Sequence, residues 1–207
     1  MSKAHREPSN QPPFSSAFRP ANEKEGHTRT INYYTNTGIR QGAQSDAVAI
    51  LVDTQNIWGA ALDAGFKRID YRAIAERVAG GRPWLGVACV ARPATGAPID
   101  GFCAYLEREG FSVATWDSPL VAGVPKVDAD PVMFREGAHL AYAAPIAELC
   151  VVSHDCDFAE FEPICLFNQI RFSVAGLRGC ISPILRRKAY RVVELGDDVL
   201  SDPTRVA

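Results

Sequence analysis

The chain of 207 residues has no apolar run near the roughly 20 residues needed to span a bilayer. Its opening, Met1-Ser2-Lys3-Ala4-His5-Arg6-Glu7-Pro8, has no apolar segment behind it. The first lack excludes a helical membrane span. From the second, no secretory signal is expected, and the expected compartment is the cytoplasm. Paired cysteine motifs are missing too: the six cysteines, at 89, 103, 150, 156, 165 and 180, include no Cys-x-x-Cys. Zinc knuckles and a disulfide framework are therefore not expected, and most of these thiols read as small buried hydrophobes in a reducing compartment. Cys156 differs, because it stands between two aspartates as a point of oxidative sensitivity.

Nor is there a strong excess of positive charge. The formal net charge is −2; residues 1–45 carry six Lys/Arg against three Asp/Glu, and the rest sixteen against twenty-one. A mildly acidic domain does not attract nucleic acid by its overall field, so polyanion binding would have to rest on a local patch and on metal. There is no internal repeat. Hydrophobic residues at 47% and charged residues at 22% are ordinary for a globular protein.

Residues 1–45 are rich in Ser, Pro, Asn, Gln, Gly and Thr and read as a disordered or loosely docked extension. Within it Phe14, Phe18, Tyr33 and Tyr34 are possible anchors to the domain, to a protein partner or to a second copy of the chain. From Asp46 the pattern changes to apolar runs alternating with amphipathic stretches, the signature of βαβ units and a mostly parallel sheet. Strands are expected near 47–53, 85–91, 111–116, 148–153, 170–175 and 190–194. Helices are expected near 57–65, 70–79, 97–109, 131–145, 158–168 and 182–188. The expected fold is a three-layer α/β/α sandwich on a five- to six-stranded sheet, with a domain over 46–198 and a C-terminal tail over 199–207.

Two acidic runs follow apolar strands. Asp53-Thr54-Gln55-Asn56 follows Ala47–Val52, and Ser153-His154-Asp155-Cys156-Asp157-Phe158 follows Ala147–Val152. Functional crevices of open α/β sheets lie beyond the carboxyl ends of the strands. Between the third strand and the long helix, Lys126-Val127-Asp128-Ala129-Asp130-Pro131 should emerge at the same edge, with Asp130 as helix cap before Pro131. Asp53, Asp130, Asp155 and Asp157 are thus expected to converge. Crowded carboxylates raise one another's pKa unless a cation lies between them. An all-oxygen set suits Mg²⁺ or Mn²⁺, and such ions activate water and neutralise charge on a phosphodiester. His154, beside the acids, is expected to have a raised pKa and a positive charge. Lys126 and Arg178 are candidate phosphate contacts, and Arg186-Arg187-Lys188 is either solvated surface or an RNA track.

These residues carry a resemblance to a known family. Residues 47–195 resemble the NYN domain, in its LabA-like branch of the PIN-like nucleases. That family typically has an apolar strand ending in Asp-x-x-Asn, a Lys-Gly-x-Asp segment opening a long helix, and a strand followed by Ser-Gly-Asp-Ser-Asp-Phe. Val48–Asn56 looks like the first element and Ser153–Phe158 like the last, with His154 where the family has Gly and Cys156 at the small residue between the aspartates. The middle element is degraded to Lys126-Val127-Asp128-Ala129-Asp130. The match places the catalytic acid on Asp130, with Asp128 as rival and Glu136 as a later helix acid about 120° away around the helix.

The resemblance implies a PIN-like fold and Mg²⁺- or Mn²⁺-dependent cleavage of RNA, single strands foremost. In that reading Asp53, Asp130, Asp155 and Asp157 hold metal, Asn56 orients a ligand or phosphate oxygen, and Lys126, Arg178 and His154 meet the substrate. The competing expectation is a PIN-like domain that binds RNA or protein without cutting. A dehalogenase-like phosphatase would need Asp-x-Asp directly after the first strand, where Asp53-Thr54-Gln55 stands instead.

Overall fold

The computed structural model of the chain describes residues 46–93, 96, 98–118, 120–121, 124–125, 129–196 and 198–201. The aromatic residues of segment 1–45 lie outside that set, as do Lys126 and Asp128.

The first strand, β1 (Val48–Asp53), is apolar up to its last residue, and all six of its residues are buried. Continuous rather than alternating hydrophobicity is what a strand needs when both faces of its sheet are covered. Its side chains divide by parity. Val48, Ile50 and Val52 enter one buried cluster, while Ala49 and Leu51 enter the other.

The chain continues through α1 (Thr54–Asp63), β2 (Arg68–Ile69), α2 (Tyr71–Ala79), β3 (Trp84–Arg92), α3 (Asp100–Arg108) and β4 (Phe111–Asp117). Two short paired strands follow, β5 (Leu120–Val121) and β6 (Val124–Pro125), then the long helix α4 (Asp130–Ala143) and β7 (Glu148–Val152). A 3-10 turn (Cys156–Glu160) leads into α5 (Phe161–Phe167), β8 (Arg171–Leu177), α6 (Pro183–Lys188), β9 (Arg191–Leu195) and β10 (Leu200–Ser201).

The main sheet has six strands in the order β4-β3-β1-β7-β8-β9, and every neighbouring pair is parallel. Helices α1 to α3 cover one face through Ile57, Ala61, Ile74, Val78 and Leu106. Helices α4 to α6 cover the other through Met133, Leu140, Phe161 and Leu185. The fold is the three-layer α/β/α sandwich expected from the sequence. Strand order matters for function. From β1 the chain builds outward to β3 and β4, then crosses back to β7 and builds outward on the other side. The reversal opens a crevice between the carboxyl ends of β1 and β7, where open sheets of this order bind their ligands.

Several local expectations are corrected. Helix α1 starts at Thr54 rather than 57, because Asp53 itself is the cap and accepts the Asn56 amide at 3.1 Å. Helix α4 starts at Asp130 with Ala129 at the cap position and no side-chain cap bond there, so Asp130 lies in the first turn instead of before it. The stretch read as one helix from 158 opens as a 3-10 turn capped by Asp155, whose carboxylate accepts the Asp157 amide at 3.0 Å. The two-residue strands β2 and β10, too short to show a pattern, pair antiparallel, and they bring Val199 and Leu200 into the core. Among the described residues no helix is long and apolar enough to cross a membrane.

Candidate active site

Asp53 ends β1 and is only 5% exposed. Its carboxylate is held from two directions, by the Asn56 amide and by the Ser153 hydroxyl, which donates at 3.3 Å. Ser153 is itself fully buried, and its oxygen accepts the Asp155 amide at 3.3 Å. A second tie joins the two acidic runs: the main-chain N–H of His154 donates to Asn56 Oδ1 at 3.0 Å. The motif after β1 and the motif after β7 are thus bonded to each other across the switch point, although 100 residues separate Asp53 from Ser153. On the β3 side, Thr54 Oγ1 donates to the Cys89 carbonyl at 2.7 Å. The Gln55 amide both gives to and takes from the Ala91 backbone, at 2.9 and 3.2 Å. These bonds fix the first turn of α1 against the end of the neighbouring strand.

Burial pushes the Asp53 carboxyl above its ordinary pKa; the bonds from Asn56 and Ser153 pull it back, and the Asp155 charge pushes it up again. Among the described residues no cation is one of these influences. Asp155, half-buried, and Asp157, exposed, follow on the turn. Among the described residues, one set of three potential ligand atoms lies within 4.8 Å of one another: those of Asp155, Cys156 and Asp157. Asp53 and Asp130 stand outside that set: Asp53 is tied to Asp155 through Ser153, and Asp130 has its place at the start of α4, so the four aspartates do not form one compact shell.

The carboxylate chemistry nonetheless fits a hard divalent ion. A buried Asp53 beside a second carboxylate, with hydrogen bonds from Asn56 and Ser153 opposing the repulsion, is an arrangement a cation relieves. Cys156 Sγ, 3.7 Å from Asp157 Oδ1, adds a softer donor to the set.

Helix α4 contributes two acids. Asp130 is half-buried in its first turn, while Glu136 is 4% exposed and takes Arg135 Nε at 2.8 Å, with His139 Nδ1 at 3.8 Å. Glu136 faces the crevice side. Burial first, and then the charges of Glu136 and Asp53, hold the Cys89 thiol pKa well up, and Cys89 is the register partner of Asp53. Sequence reasoning ranked Glu136 below Asp130, yet it is Glu136 whose charge reaches Cys89 beside Asp53.

The expectation for His154 is overturned. Burial lowers its pKa from 6.5 to about 4, and Nε2 accepts the Leu177 amide at 2.9 Å, which requires the neutral ring. It acts as a peg between the turn after β7 and the end of β8. Gly176 makes the room: an added Cβ there would lie 2.7 Å from His154 Cδ2. The residue that sequence reasoning passed over is Ser153. Its place directly after a buried strand and two residues before an aspartate was the available signal.

The basic candidates separate. Arg178 follows β8 at the crevice edge, 76% exposed, with Glu194 at 3.7 Å. In the C-terminal cluster Arg186 is bound to Glu194 at 2.6 Å and Lys188 to Glu162 at 3.0 Å, which leaves little net charge for an RNA track.

Residues 47–195 match the NYN domain family, and the chain belongs to that family. A crystal structure of a Vibrio parahaemolyticus protein of unknown function superposes with a TM-score of 0.65 at 22% identity, covering 78% of this chain and 100% of that one. At that identity the likeness is one of fold. No curated protein matches the chain.

Proposed function

We propose that this NYN-domain protein is a Mg²⁺- or Mn²⁺-dependent ribonuclease acting on single-stranded RNA, of the LabA-like branch and cytoplasmic, with residues 46–198 as its catalytic domain. One observation carries the reading: the buried Asp53 at the end of β1 is linked through Ser153 to Asp155 and the turn bearing Asp157, at the switch point of a parallel sheet. Family membership supports it, since the NYN domain resembles the PIN-like nucleases.

Asp53, Asp155 and Asp157 would hold the ion directly or through water, with Asp130 and Glu136 supplying further carboxylate from α4. A bound ion of this kind supplies Lewis-acid charge at the phosphodiester and lowers the pKa of water. The chain's own part is pre-organisation. Ser153 and the Asn56 amide keep Asp53 in one rotamer, so the carboxylates need not reorganise as charge develops on the phosphate. Asn56 is a positioning residue here, because its side-chain oxygen is engaged by the His154 amide. Arg178 and Lys126 are assigned to substrate phosphates. His154 has no place as a cation and serves through its peg to Leu177.

The test is cleavage of labelled single-stranded RNA and matching DNA in Mn²⁺, Mg²⁺ or EDTA, with Asp53→Asn and Asp157→Asn proteins alongside. Metal-dependent cleavage lost in both variants is expected. A second reading, a domain that binds RNA without cutting it, draws on the thiol between the two aspartates and on Asp53 lying outside their compact set. Binding with no cleavage above the variants' background would establish that reading instead.

A further inference from the structure

The carboxyl ends of β8 and β9 and the C-terminal end of α1, opposite to the end that Asp53 caps, border a cleft of about 420 Å³. That volume falls within the roughly 300–1,000 Å³ of small-molecule sites. Half-buried Phe66, with the edges of the largely buried Leu177, Leu195 and Leu200 behind it, makes its apolar side, and Arg77, Arg178 and Asp198 its charged rim. Arg77 is ion-paired with Asp198. Arg178 is far less engaged, since its carboxylate neighbour Glu194, at 3.7 Å, is held more tightly by Arg186 at 2.6 Å. Gly196 keeps the rim open: a Cβ there would come within 3.3 Å of Asp198 Oδ1 and 3.9 Å of Arg178 Nη2. The cleft is linked to the crevice through the bond from the Leu177 amide to His154, the residue just before Asp155.

An apolar side under two guanidiniums and one carboxylate, in a domain otherwise rich in acid, suits a ligand with a flat apolar part and a negative charge. A nucleotide has both. We propose that this cleft receives a base splayed out of the single-stranded RNA held at the aspartates, with Arg178 on the phosphate adjoining that base. The proposal rests on the ribonuclease reading and adds to it the basis of strand preference. A base in a duplex is stacked and cannot enter, whereas unpaired bases are free to be splayed and read.

Two exposed cysteines report on the two places separately. Cys180 lines the cleft, and Cys156 stands between Asp155 and Asp157. The experiment is alkylation of the full chain by N-ethylmaleimide in Mn²⁺, read by mass spectrometry, with and without a phosphorothioate-linked single-stranded RNA that resists hydrolysis. With the RNA at ten times its Kd, both cysteines should react roughly tenfold more slowly than in Mn²⁺ alone. In Arg178→Ala at matched occupancy, Cys180 should lose its protection while Cys156 keeps it, and Arg178→Lys should restore part of it. Protection of Cys156 alone in the wild-type protein overturns the cleft and leaves the ribonuclease reading standing. Protection of neither overturns both. Protection of Cys180 by a blunt duplex as strong as that by the single strand also overturns the proposal.

Discussion

Ser153 holds together two groups that repel. Its hydroxyl donates to Asp53 and accepts from the Asp155 amide, and no water reaches it. Ser153→Ala removes one donor to a buried carboxylate and should cost about 1 kcal/mol of stability. The effect on chemistry should be larger. A loosened Asp53 no longer presents its oxygens in one place, and small misplacements at a reacting centre cost on the order of 10- to 100-fold in rate. Denaturant melts and single-turnover cleavage of the same protein separate the two effects; a variant cleaving at the wild-type rate would remove Ser153 from the site. His154 and Gly176 form the other residue-level pair. A Cβ at 176 would meet His154 Cδ2 at 2.7 Å and Ile181 Cγ1 at 2.8 Å, so Gly176→Ala should destabilise by about 1–3 kcal/mol. His154→Gly removes one of the two obstructions. In a four-protein cycle by chemical denaturation the double variant should recover on the order of 1 kcal/mol relative to additivity. Strict additivity would mean that the ring does not rest on Gly176.

At the opposite edge of the sheet, Glu148 opens β7 with only 1% of its side chain exposed and binds three elements together. Arg191, at the start of β9, meets it at 2.7 Å, Arg82 before β3 at 2.8 Å, and Arg171 at the start of β8 at 3.7 Å. Burial alone would raise its pKa, but the bonds from Arg191 and Arg82 outweigh that and hold it below the usual 4.5. A depressed acid contributes stability that is present above its unfolded pKa and is lost as pH falls through its folded one. The loss should therefore set in below about pH 4.5 and be absent from Glu148→Gln, as urea melts across that range would show. Glu148→Gln itself should cost about 2–3 kcal/mol at neutral pH, less than the full penalty of a broken buried pair because the guanidiniums keep contact with water. Both apolar strands at the site were legible in sequence because runs such as Val48–Val52 and Leu149–Val152 suit a sheet covered on two faces. Their adjacency was not legible, since it comes from the crossover that sets β7 beside β1. Nor was the charge of His154, which is decided by burial and by the Leu177 amide 23 residues downstream. The aspartates were found as residue types at strand ends, but which of them caps, coordinates or does both depends on where each helix begins. Asp53 and Asp155 proved to be the caps, while Asp130 entered its helix.

At the scale of the whole molecule, the proposed function asks an acidic domain to act on a polyanion. Residues 46–207 carry sixteen basic against twenty-one acidic side chains, and two residues of the basic cluster at 186–188 are tied to Glu194 and Glu162. On that reading, affinity for RNA would come from a metal at the aspartates, from base contacts in the cleft and from few cationic groups. Each phosphate neutralised by a side chain on a single strand contributes about −0.7 to the slope of log K against log salt. With roughly two or three such contacts, Arg178 among them, the slope should be about −2. This is shallow beside a protein that lays a basic face on nucleic acid. The measurement is fluorescence-anisotropy titration of a labelled, hydrolysis-resistant single strand at several KCl concentrations and constant Mn²⁺. Arg178→Ala should lower the slope's magnitude by nearly one contact, ~0.7. A wild-type slope near −4 or steeper would need about six contacts, a number the described basic residues near the crevice do not supply. The six Lys/Arg of residues 1–45 would then be the source, and the extension would be a binding arm of the enzyme.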